Sequence, residues 1–362
     1  MQEIYFDNAS TALPVYTYSE GSLGNPSTSH KLGVKAYNAL NQAKNDLCNI
    51  LGCEKEELVL TSGGTESNNL AIIGYAIRHK RNKTKFAALP WAHPSVLGAI
   101  KQVSSLGFGH EETLCLKNID NFATGVNFIS IPQVCHETGD KYDDLPYSLK
   151  QLNPTNIIHV DGAQGFCKDK FNLKNIDLYS FSGHKIHAQP GIGGLFVKRG
   201  VGLSALFFGG GQEMGLRAGT PNTQGARSLS SAAKKMFESI DINRKNIADI
   251  KSEILKLVDE LDGVYVNSCR DSSPYILNMS FTGVKGEVLV NMLSEKGVYV
   301  STGAACKASK KDVSALALMG FNMERADSAI RFSFSHINTV SEADLARKAI
   351  IESVKLLRKI RR

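Results

Sequence analysis

The sequence contains no long apolar run, only one tryptophan and no pair of cysteines with C-x-x-C spacing. No stretch approaches the roughly 18 apolar residues that a membrane-spanning helix requires. The N-terminus, MQEIYFDNAS, shows no basic segment followed by an apolar one, so we expect no signal peptide. Seven cysteines, an odd number without zinc-ligand spacing, argue against a disulfide framework or a metal site and indicate reduced thiols in the cytoplasm.

The excess of positive charge is small, at +7, with 42% apolar and 21% charged residues, which is typical of a folded soluble protein. The basic clusters at 80–85, 307–311 and 358–362 contain no interleaved aromatic residues that could stack on bases. We therefore expect solvated surface there and no nucleic-acid partner. A chain of 362 residues is too long for one ordinary core and indicates one large domain with a smaller one.

Short apolar runs alternate with stretches of helical spacing along most of the chain. This alternation predicts the α/β class, with a large doubly wound, mostly parallel sheet and a smaller C-terminal α/β domain. We assign residues 15–240 to the large domain, and residues 1–14 and 241–362 to the small one. The expected strands lie at 57–60, 86–89, 128–134, 157–160, 178–181, 194–198, 276–281, 298–301 and 330–335. Amphipathic spacing predicts helices at 35–51, 247–261 and about 341–357.

Two polar segments that follow expected strands carry most of the chemical information. HVDGAQ ends one strand with Asp161 and Gln164, and SFSGHK follows another with Ser182, His184 and Lys185. In open α/β sheets, ligands bind at this edge. A lysine in a dry pocket can form a Schiff base, and an aspartate can hold a protonated pyridine nitrogen. Together they predict a pyridoxal phosphate site.

Two further segments offer groups for anion binding and proton transfer. TSGGTESNN places two glycines before a helix that should begin at about Thr65, and the unpaired N–H groups there, with the Thr65 hydroxyl, could bind an anion. The same pattern also fits an ordinary helix cap. His93, in WAHPS, could stack on a flat cofactor and move protons near neutral pH, or it could be an ordinary loop histidine.

Cys306 and Arg331 are the candidate substrate-side residues of the C-terminal part. Cys306 lies among small residues, and the neighbouring Lys307 would favour its thiolate, so it is the candidate nucleophile among the seven thiols. Arg331 opens the alternating segment RFSFS and could hold a substrate carboxylate through two parallel hydrogen bonds. A surface arginine would give the same pattern.

The order of TSGGTESNN, HVDGAQ, SFSGHK, RAGT and STGAAC resembles the class-V aminotransferase-like enzymes, and within them the cysteine desulfurases that supply sulfur for iron–sulfur clusters. The resemblance extends from FDNAS near residue 7 to the Arg331 strand. It implies the fold-type I architecture of pyridoxal phosphate enzymes and a homodimer with shared active sites. It also implies L-cysteine as the substrate and a sulfur-acceptor protein as a partner.

The same resemblance implies a role for each candidate residue. Lys185 would carry the cofactor, Asp161 would pair with the pyridine nitrogen, and Arg331 would bind the substrate carboxylate. Cys306 would attack the substrate sulfur and keep it as a persulfide. The other implied cofactor contacts are Gln164 at the phenolic oxygen, His93 stacked on the ring, Gly64, Thr65, Ser182 and His184 at the phosphate, and Thr220 at the phosphate of the neighbouring subunit.

Three positions depart from the family pattern on the substrate side. His136 stands where an asparagine usually lies near the phenolic oxygen and the substrate; histidine can still donate a hydrogen bond, but it is bulkier and can titrate. Gln212 and Met214 stand where His and Arg are common. Two alternatives therefore stay open: another class-V enzyme (a selenocysteine lyase, a different β-lyase or an aminotransferase), and a low-activity scaffold that relays sulfur.

Overall fold

The computed structural model describes residues 3–17, 24–302 and 314–360. The chain forms two compact units. Unit 1 comprises Met1–Ala12, Val134–Lys141 and Ser239–Arg362, and unit 2 comprises Leu13–Gln133 and Tyr142–Glu238. Across the described ranges, no helix is both long and apolar enough to cross a bilayer.

The described residues contain twelve strands and eleven α-helices, besides short 3₁₀ turns. The strands are β1 (Ile4–Tyr5), β2 (Leu58–Thr61), β3 (Lys85–Ala88), β4 (His110–Thr113), β5 (Asn127–Pro132), β6 (Ile157–Asp161), β7 (Leu178–Ser182), β8 (Gly193–Val197), β9 (Val264–Val266), β10 (Ile276–Phe281), β11 (Val298–Tyr299) and β12 (Ala329–Ser333). The helices are α1 (Lys31–Leu51), α2 (Gly64–Arg78), α3 (Pro94–Ser105), α4 (Leu145–Leu152), α5 (Thr223–Glu238), α6 (Ile240–Leu255), α7 (Leu257–Glu260), α8 (Gly286–Glu295), α9 (Ala315–Leu318), α10 (Met323–Asp327) and α11 (Val340–Ile360).

The seven-stranded sheet of unit 2 has the order β2-β8-β7-β6-β5-β3-β4. Neighbouring strands from β7 to β4 are parallel, which confirms the prediction of a mostly parallel α/β sheet. The strand predicted at 194–198 is the exception, because β8 runs antiparallel to both β7 and β2. Only residues 183–192 separate β7 from β8, which is too short for the helical crossover that a parallel neighbour needs.

Strand β4 was missed by the sequence reasoning. Its four residues, HEET, are all exposed, and it pairs with β3 at the edge of the sheet. An apolar run is the usual signal of a strand, and this one has none, since charged side chains are favoured on edge strands that face water.

The two faces of the unit 2 sheet are held by aromatic residues. On the face under α2 and α3, the rings of Phe86 and Phe128 stack at 5.2 Å, and Tyr75 of α2 tilts against Phe128 at 5.1 Å. In β7, Phe181 packs against Phe166 at 4.3 Å. Offset and tilted ring pairs of this kind add to the burial of apolar area. The strand ends that carry Asp161 and Ser182 therefore rest on a rigid core.

Unit 1 contains a three-stranded antiparallel sheet, β12-β10-β9, and the parallel pair β1-β11. The predicted strand at 330–335 begins one residue earlier and ends at Ser333. The helix predicted at 247–261 is interrupted at Lys256, whose amide donates to the carbonyl of Ile254 and breaks the i to i−4 pattern.

Candidate cofactor and substrate sites

Three loops of unit 2 meet at the carboxyl ends of β2, β6 and β7. A Cβ placed on Gly63 or on Gly64 would lie 3.6 Å from the side chain of Ser182, and one on Gly64 would also lie 3.7 Å from the Cβ of Ala163. A Cβ on Gly193 would lie 2.6 Å from the Cα of Gly63, so only glycine fits there. The structure thus brings together the segments TSGGTESNN, HVDGAQ and SFSGHK.

Helix α2 begins at this meeting point without a capping side chain. Gly63, its N-cap residue, has φ of 155° and offers no side-chain acceptor, so the first amides of a 15-residue helix are left for another acceptor. Thr65 is exposed in the first turn. Unsatisfied N–H groups and the positive end of the helix dipole favour an anion such as a phosphate at this position.

Asp161 is buried at the end of β6 and is held by two donors. Its Oδ2 accepts a hydrogen bond from Asn68 Nδ2 at 2.9 Å, and its Oδ1 accepts one from the backbone amide of Ala163 at 3.0 Å. These bonds hold the carboxylate in one orientation. Each carboxylate oxygen has further acceptor capacity, so Asp161 can still receive a proton donor from a ligand.

His93 forms the N-cap of α3 and shares its surroundings with Asp161 and Lys185. Its Nδ1 accepts from the Ser95 amide at 3.2 Å and lies 2.7 Å from Ser95 Oγ. Burial lowers the pKa of His93; the Asp161 carboxylate acts in the opposite direction and the Lys185 ammonium in the same one. His93 is therefore neutral at pH 7.

Lys185 and His184 lie in the short 3₁₀ turn that follows β7, and both are half-buried. Burial lowers the pKa of His184 to about 4, and the positive charges of Lys185 and Lys168 act in the same direction. A neutral imidazole can donate one hydrogen bond to an anion without adding a second charge beside Lys185. Gln164 is buried on the β6 side, where its Oε1 lies 3.4 Å from Lys168 Nζ.

A buried histidine supports the strands beneath this site. His159 in β6 is fully buried and bonds to Ser130 Oγ through Nδ1 and to Ser180 Oγ through Nε2, both at 2.8 Å. Burial lowers its pKa to about 4, although the carboxylate of Asp161 opposes the shift. His159 is neutral at pH 7 and ties three neighbouring strands together.

The glycine-rich segment 209–220 is anchored to the same region by ion pairs. Arg217 Nε donates to Glu66 Oε1 at 3.0 Å, and Glu213 Oε2 accepts from Lys44 Nζ at 2.8 Å. Burial raises the pKa of Glu66, but hydrogen bonds from Ser62 and Arg217 outweigh it and hold that pKa below its ordinary value. Thr220, at the end of the segment, is exposed.

Arg331 and His136 both belong to unit 1. Arg331 Nη1 donates to the His136 carbonyl at 2.9 Å, and its Nη2 bonds to Asp7 Oδ1 at 2.9 Å and to Ser10 Oγ at 2.7 Å. The ring of His136 is half-buried, with Nε2 at 3.7 Å from Glu137 Oε1. Cys306 and its neighbour Lys307 lie outside the described residues.

The unit 2 residues suit a planar, phosphate-bearing pyridine. The uncapped start of α2 and the side chains near it offer a phosphate site, and the glycines 63, 64 and 193 leave space that any other residue would fill. Asp161 offers a fixed negative charge for a ring N–H, and Lys185 offers an amine whose charge, like that of Asp161, acts on His93. This donor set fits pyridoxal phosphate.

Three residues of these sites were not singled out in the sequence. Asn68 donates a hydrogen bond to Asp161, Ser95 bonds to His93, and Asp7 pairs with Arg331. Asn68 could have been suspected, because it lies one helical turn after Thr65 and so faces the same side of α2. Asp7 carries no comparable signal, because its partner lies 324 positions away.

The aminotransferase class-V family is matched over residues 4–345. The cysteine desulfurase IscS of Buchnera aphidicola subsp. Schizaphis graminum is 34% identical, over 98% of this chain and 93% of that protein. A NifS/IcsS protein homolog of Lactobacillus delbrueckii subsp. bulgaricus is 34% identical, over 94% of each. A solved structure described as a NifS-like protein superposes with a TM-score of 0.90 at 28% identity, covering 98% of this chain and all of the other.

Proposed function

This chain belongs to the aminotransferase class-V family, and we propose that it is a pyridoxal phosphate-dependent cysteine desulfurase that converts L-cysteine into L-alanine. The mostly parallel sheet is that of the fold-type I enzymes. One observation carries the proposal: three loops meet around Asp161, where the start of α2, a fixed carboxylate and the Lys185 turn share one edge of the sheet.

The proposal gives each residue near Asp161 a task in holding the cofactor. Lys185 would form the covalent link, and the Asp161 carboxylate would favour a proton on the pyridine nitrogen. The amides at the start of α2, with Ser182 Oγ and a neutral His184, would bind the phosphate. When bound, pyridoxal phosphate supplies an electron sink for the bond that breaks at the substrate α-carbon.

The remaining assigned contacts follow the family resemblance. Gln164 would bond the phenolic oxygen and His93 would stack on the ring. Gly64 and Thr65 would complete the phosphate site. His136, which replaces the family asparagine, would act at the phenolic oxygen and the substrate. These five residues are assigned from the family resemblance rather than from a contact with the cofactor.

The sulfur-transfer step is assigned to Cys306. Its thiolate attacks the substrate sulfur, so that a S–S bond forms while the substrate C–S bond breaks. The electron pair of the C–S bond stays with carbon, which takes up a proton and becomes the methyl group of alanine. The sulfur remains on Cys306 as a persulfide, and Arg331 holds the substrate carboxylate during the exchange.

The test is the balance of products from L-cysteine. Purified protein should release alanine and, with dithiothreitol present, sulfide in equal amounts. Cys306→Ala should abolish this production, whereas Cys115→Ala, which removes an exposed thiol elsewhere, should not affect it. Equal alanine production from wild type and Cys306→Ala would contradict the assignment of Cys306, and no alanine from either would contradict the proposed reaction.

Assembly and location extend the proposal. A homodimer with shared sites is supported by exposed apolar side chains near the Thr220 segment, since Phe207 is 54% and Phe208 is 87% exposed. In that dimer Thr220 would reach the phosphate bound by the neighbouring subunit. The cytoplasmic location is proposed from the odd number of cysteines without disulfide or zinc-ligand spacing. A sulfur-acceptor protein, with iron–sulfur cluster assembly as the destination, follows from the resemblance. Light scattering should give twice the chain mass of 39.3 kDa.

The alternative class-V activities are favoured only by His136, Gln212 and Met214. The assay therefore includes selenocysteine and cystine beside L-cysteine. A higher kcat/KM for selenocysteine, together with turnover that does not need Cys306, would favour a lyase. A His136→Asn variant shows whether this position sets the choice, because it restores the amide common in the family.

A further inference from the structure

A continuous line of hydrogen bonds joins Asp161 to His93 through two residues that have no assigned role. Asn68 Nδ2 lies 2.9 Å from Asp161 Oδ2 and 2.9 Å from Ser95 Oγ. Ser95 Oγ in turn lies 2.7 Å from His93 Nδ1. All four residues belong to unit 2, on α2, at the start of α3 and at the end of β6.

The donor and the acceptor of each hydrogen bond in this line can be assigned from its two end residues, Asp161 and His93. An ionised carboxylate only accepts, so the amide nitrogen of Asn68, rather than its oxygen, must face Asp161. Its second N–H then points to Ser95 Oγ. At the other end, the Ser95 backbone amide donates to His93 Nδ1, which fixes that nitrogen as an acceptor, so the Ser95 hydroxyl must donate to it as well.

Two donors at Nδ1 determine the state of the His93 ring. A neutral imidazole carries one proton, and an acceptor at Nδ1 requires that proton to be on Nε2. Hydrogen bonds donated to the neutral ring favour it over the charged one. The carboxylate of Asp161 and the ammonium of Lys185 both act on the pKa of His93, in opposite directions.

The burial of Asn68 includes an unfavourable contribution to stability. It is only 1% exposed, and its Oδ1 has no hydrogen-bond partner among the described residues. A buried acceptor without a partner destabilises a fold, and packing alone would be better served by an apolar residue. What the amide supplies at this buried position is a pair of N–H donors, which reach Asp161 and Ser95 together.

We propose that Asn68 and Ser95 are positioning residues that couple Asp161 to His93 and hold His93 as the tautomer with its proton on Nε2. The role in catalysis rests on the proposed function, which assigns Asp161 to the pyridine nitrogen and His93 to the ring of the same cofactor. The tautomer and its coupling are properties of the protein itself. Ser95 acts through His93, and Asn68 acts through Ser95 and Asp161.

The experiment measures the protonation of His93 in the cofactor-loaded protein. Protein labelled with ¹⁵N-histidine gives two-bond ¹H–¹⁵N spectra from which the tautomer and the pKa are read, and His93→Gln assigns the signal. The variants are Ser95→Ala, Ser95→Thr, which keeps the hydroxyl, and Asn68→Ala. Ser105→Ala removes a hydroxyl from the other end of α3 and is the matched control.

We expect wild-type His93 to carry its proton on Nε2. Ser95→Ala should raise its pKa by roughly 0.4 to 1 pH unit, the equivalent of one neutral hydrogen bond. Ser95→Thr should restore the wild-type value, Asn68→Ala should give a smaller rise, and Ser105→Ala should give none. The absorbance of the bound cofactor against pH should shift in the same variants.

A proton on Nδ1 in the wild type, or an unchanged pKa in Ser95→Ala, would overturn the proposal. If Ser95→Thr behaved like Ser95→Ala, the hydroxyl would not be the coupling group, and the proposal would also fail. These spectra need no turnover. A protein that does not act on L-cysteine would contradict the proposed function and would leave the measured coupling intact.

Discussion

Buried Arg331 and half-buried Asp7 form an ion pair within unit 1, with Nη2 at 2.9 Å from Oδ1. Ser10 completes a triangle, because its Oγ accepts from Arg331 and donates to Asp7 Oδ1 at 2.8 Å. Arg331 is 3% exposed, and its Nε has no partner among the described residues. The guanidinium is thus held in one orientation with donor capacity remaining, which suits a residue assigned to bind a carboxylate.

Replacing Asp7 by Asn should destabilise the protein without changing the size of the side chain. The Arg331 charge would stay buried and lose its counter-charge, and we expect the free energy of unfolding to fall by about 1–3 kcal/mol. Urea denaturation of the two proteins measures the change. Ser10→Ala removes a neutral hydroxyl, which accepts from Arg331 and donates to Asp7, and should cost less because the two charges stay paired. Equal stability of Asp7→Asn and wild type would show that the ion pair contributes nothing.

Lys185 should be the site of covalent cofactor attachment. We expect yellow protein that borohydride bleaches, with the reduced cofactor recovered by mass spectrometry on the peptide that contains Lys185. Lys185→Ala should lose all of its cofactor on denaturation after the same treatment. Lys168→Arg, a change at a neighbouring buried lysine, should retain the label on Lys185. A label on any other lysine would contradict the assignment.

Gly193 should tolerate no side chain, because its Cβ would lie 2.6 Å from backbone atoms of both Gly63 and Phe181. Gly193→Ala must displace the Gly63 loop, so we expect a loss of about 1–3 kcal/mol in the free energy of unfolding and weaker cofactor binding. Gly98→Ala is the control, since a Cβ there meets nothing within 4 Å on α3. Denaturation midpoints and cofactor titration compare the variants. If Gly193→Ala and Gly98→Ala lost equal stability and cofactor affinity, the close packing of Gly193 against Gly63 would be contradicted.

His159 should make stability depend on pH in the acidic range. Burial lowers its folded pKa to about 4 from an ordinary 6.5, so between these values the unfolded chain binds a proton that the folded one does not. The contribution of neutral His159 to the free energy of unfolding is fully present above pH 6.5, the unfolded pKa. It falls by about 1.4 kcal/mol per pH unit as the pH drops from 6.5 towards 4. His159→Gln should remove this slope. Urea denaturation at pH 7 and pH 5 checks this: between these two pH values the wild type should lose about 2 kcal/mol more free energy of unfolding than His159→Gln does.

Much of unit 2 could be predicted because its signals are local. An apolar run such as that of β7 marks a buried strand, and polar residues directly after it lie at the sheet edge, so their positions alone predict that Asp161 and Lys185 share that edge. The direction of β8 and the existence of β4 could not be predicted in this way. The first depends on the length of a connection, and the second on pairing that compensates for exposed, charged side chains.

The amino-acid order was sufficient for the α/β class, the family resemblance and a set of candidate residues for the chemistry, since these depend on short motifs and local periodicity. The partners that orient those residues came from the folded chain. Asn68 and Asp161 are 93 positions apart, and Asp7 and Arg331 are 324 apart. Hydrogen bonds and ion pairs act over about 3 Å in space. Chain packing therefore decides which side chains meet and leaves no pattern of spacing in the sequence.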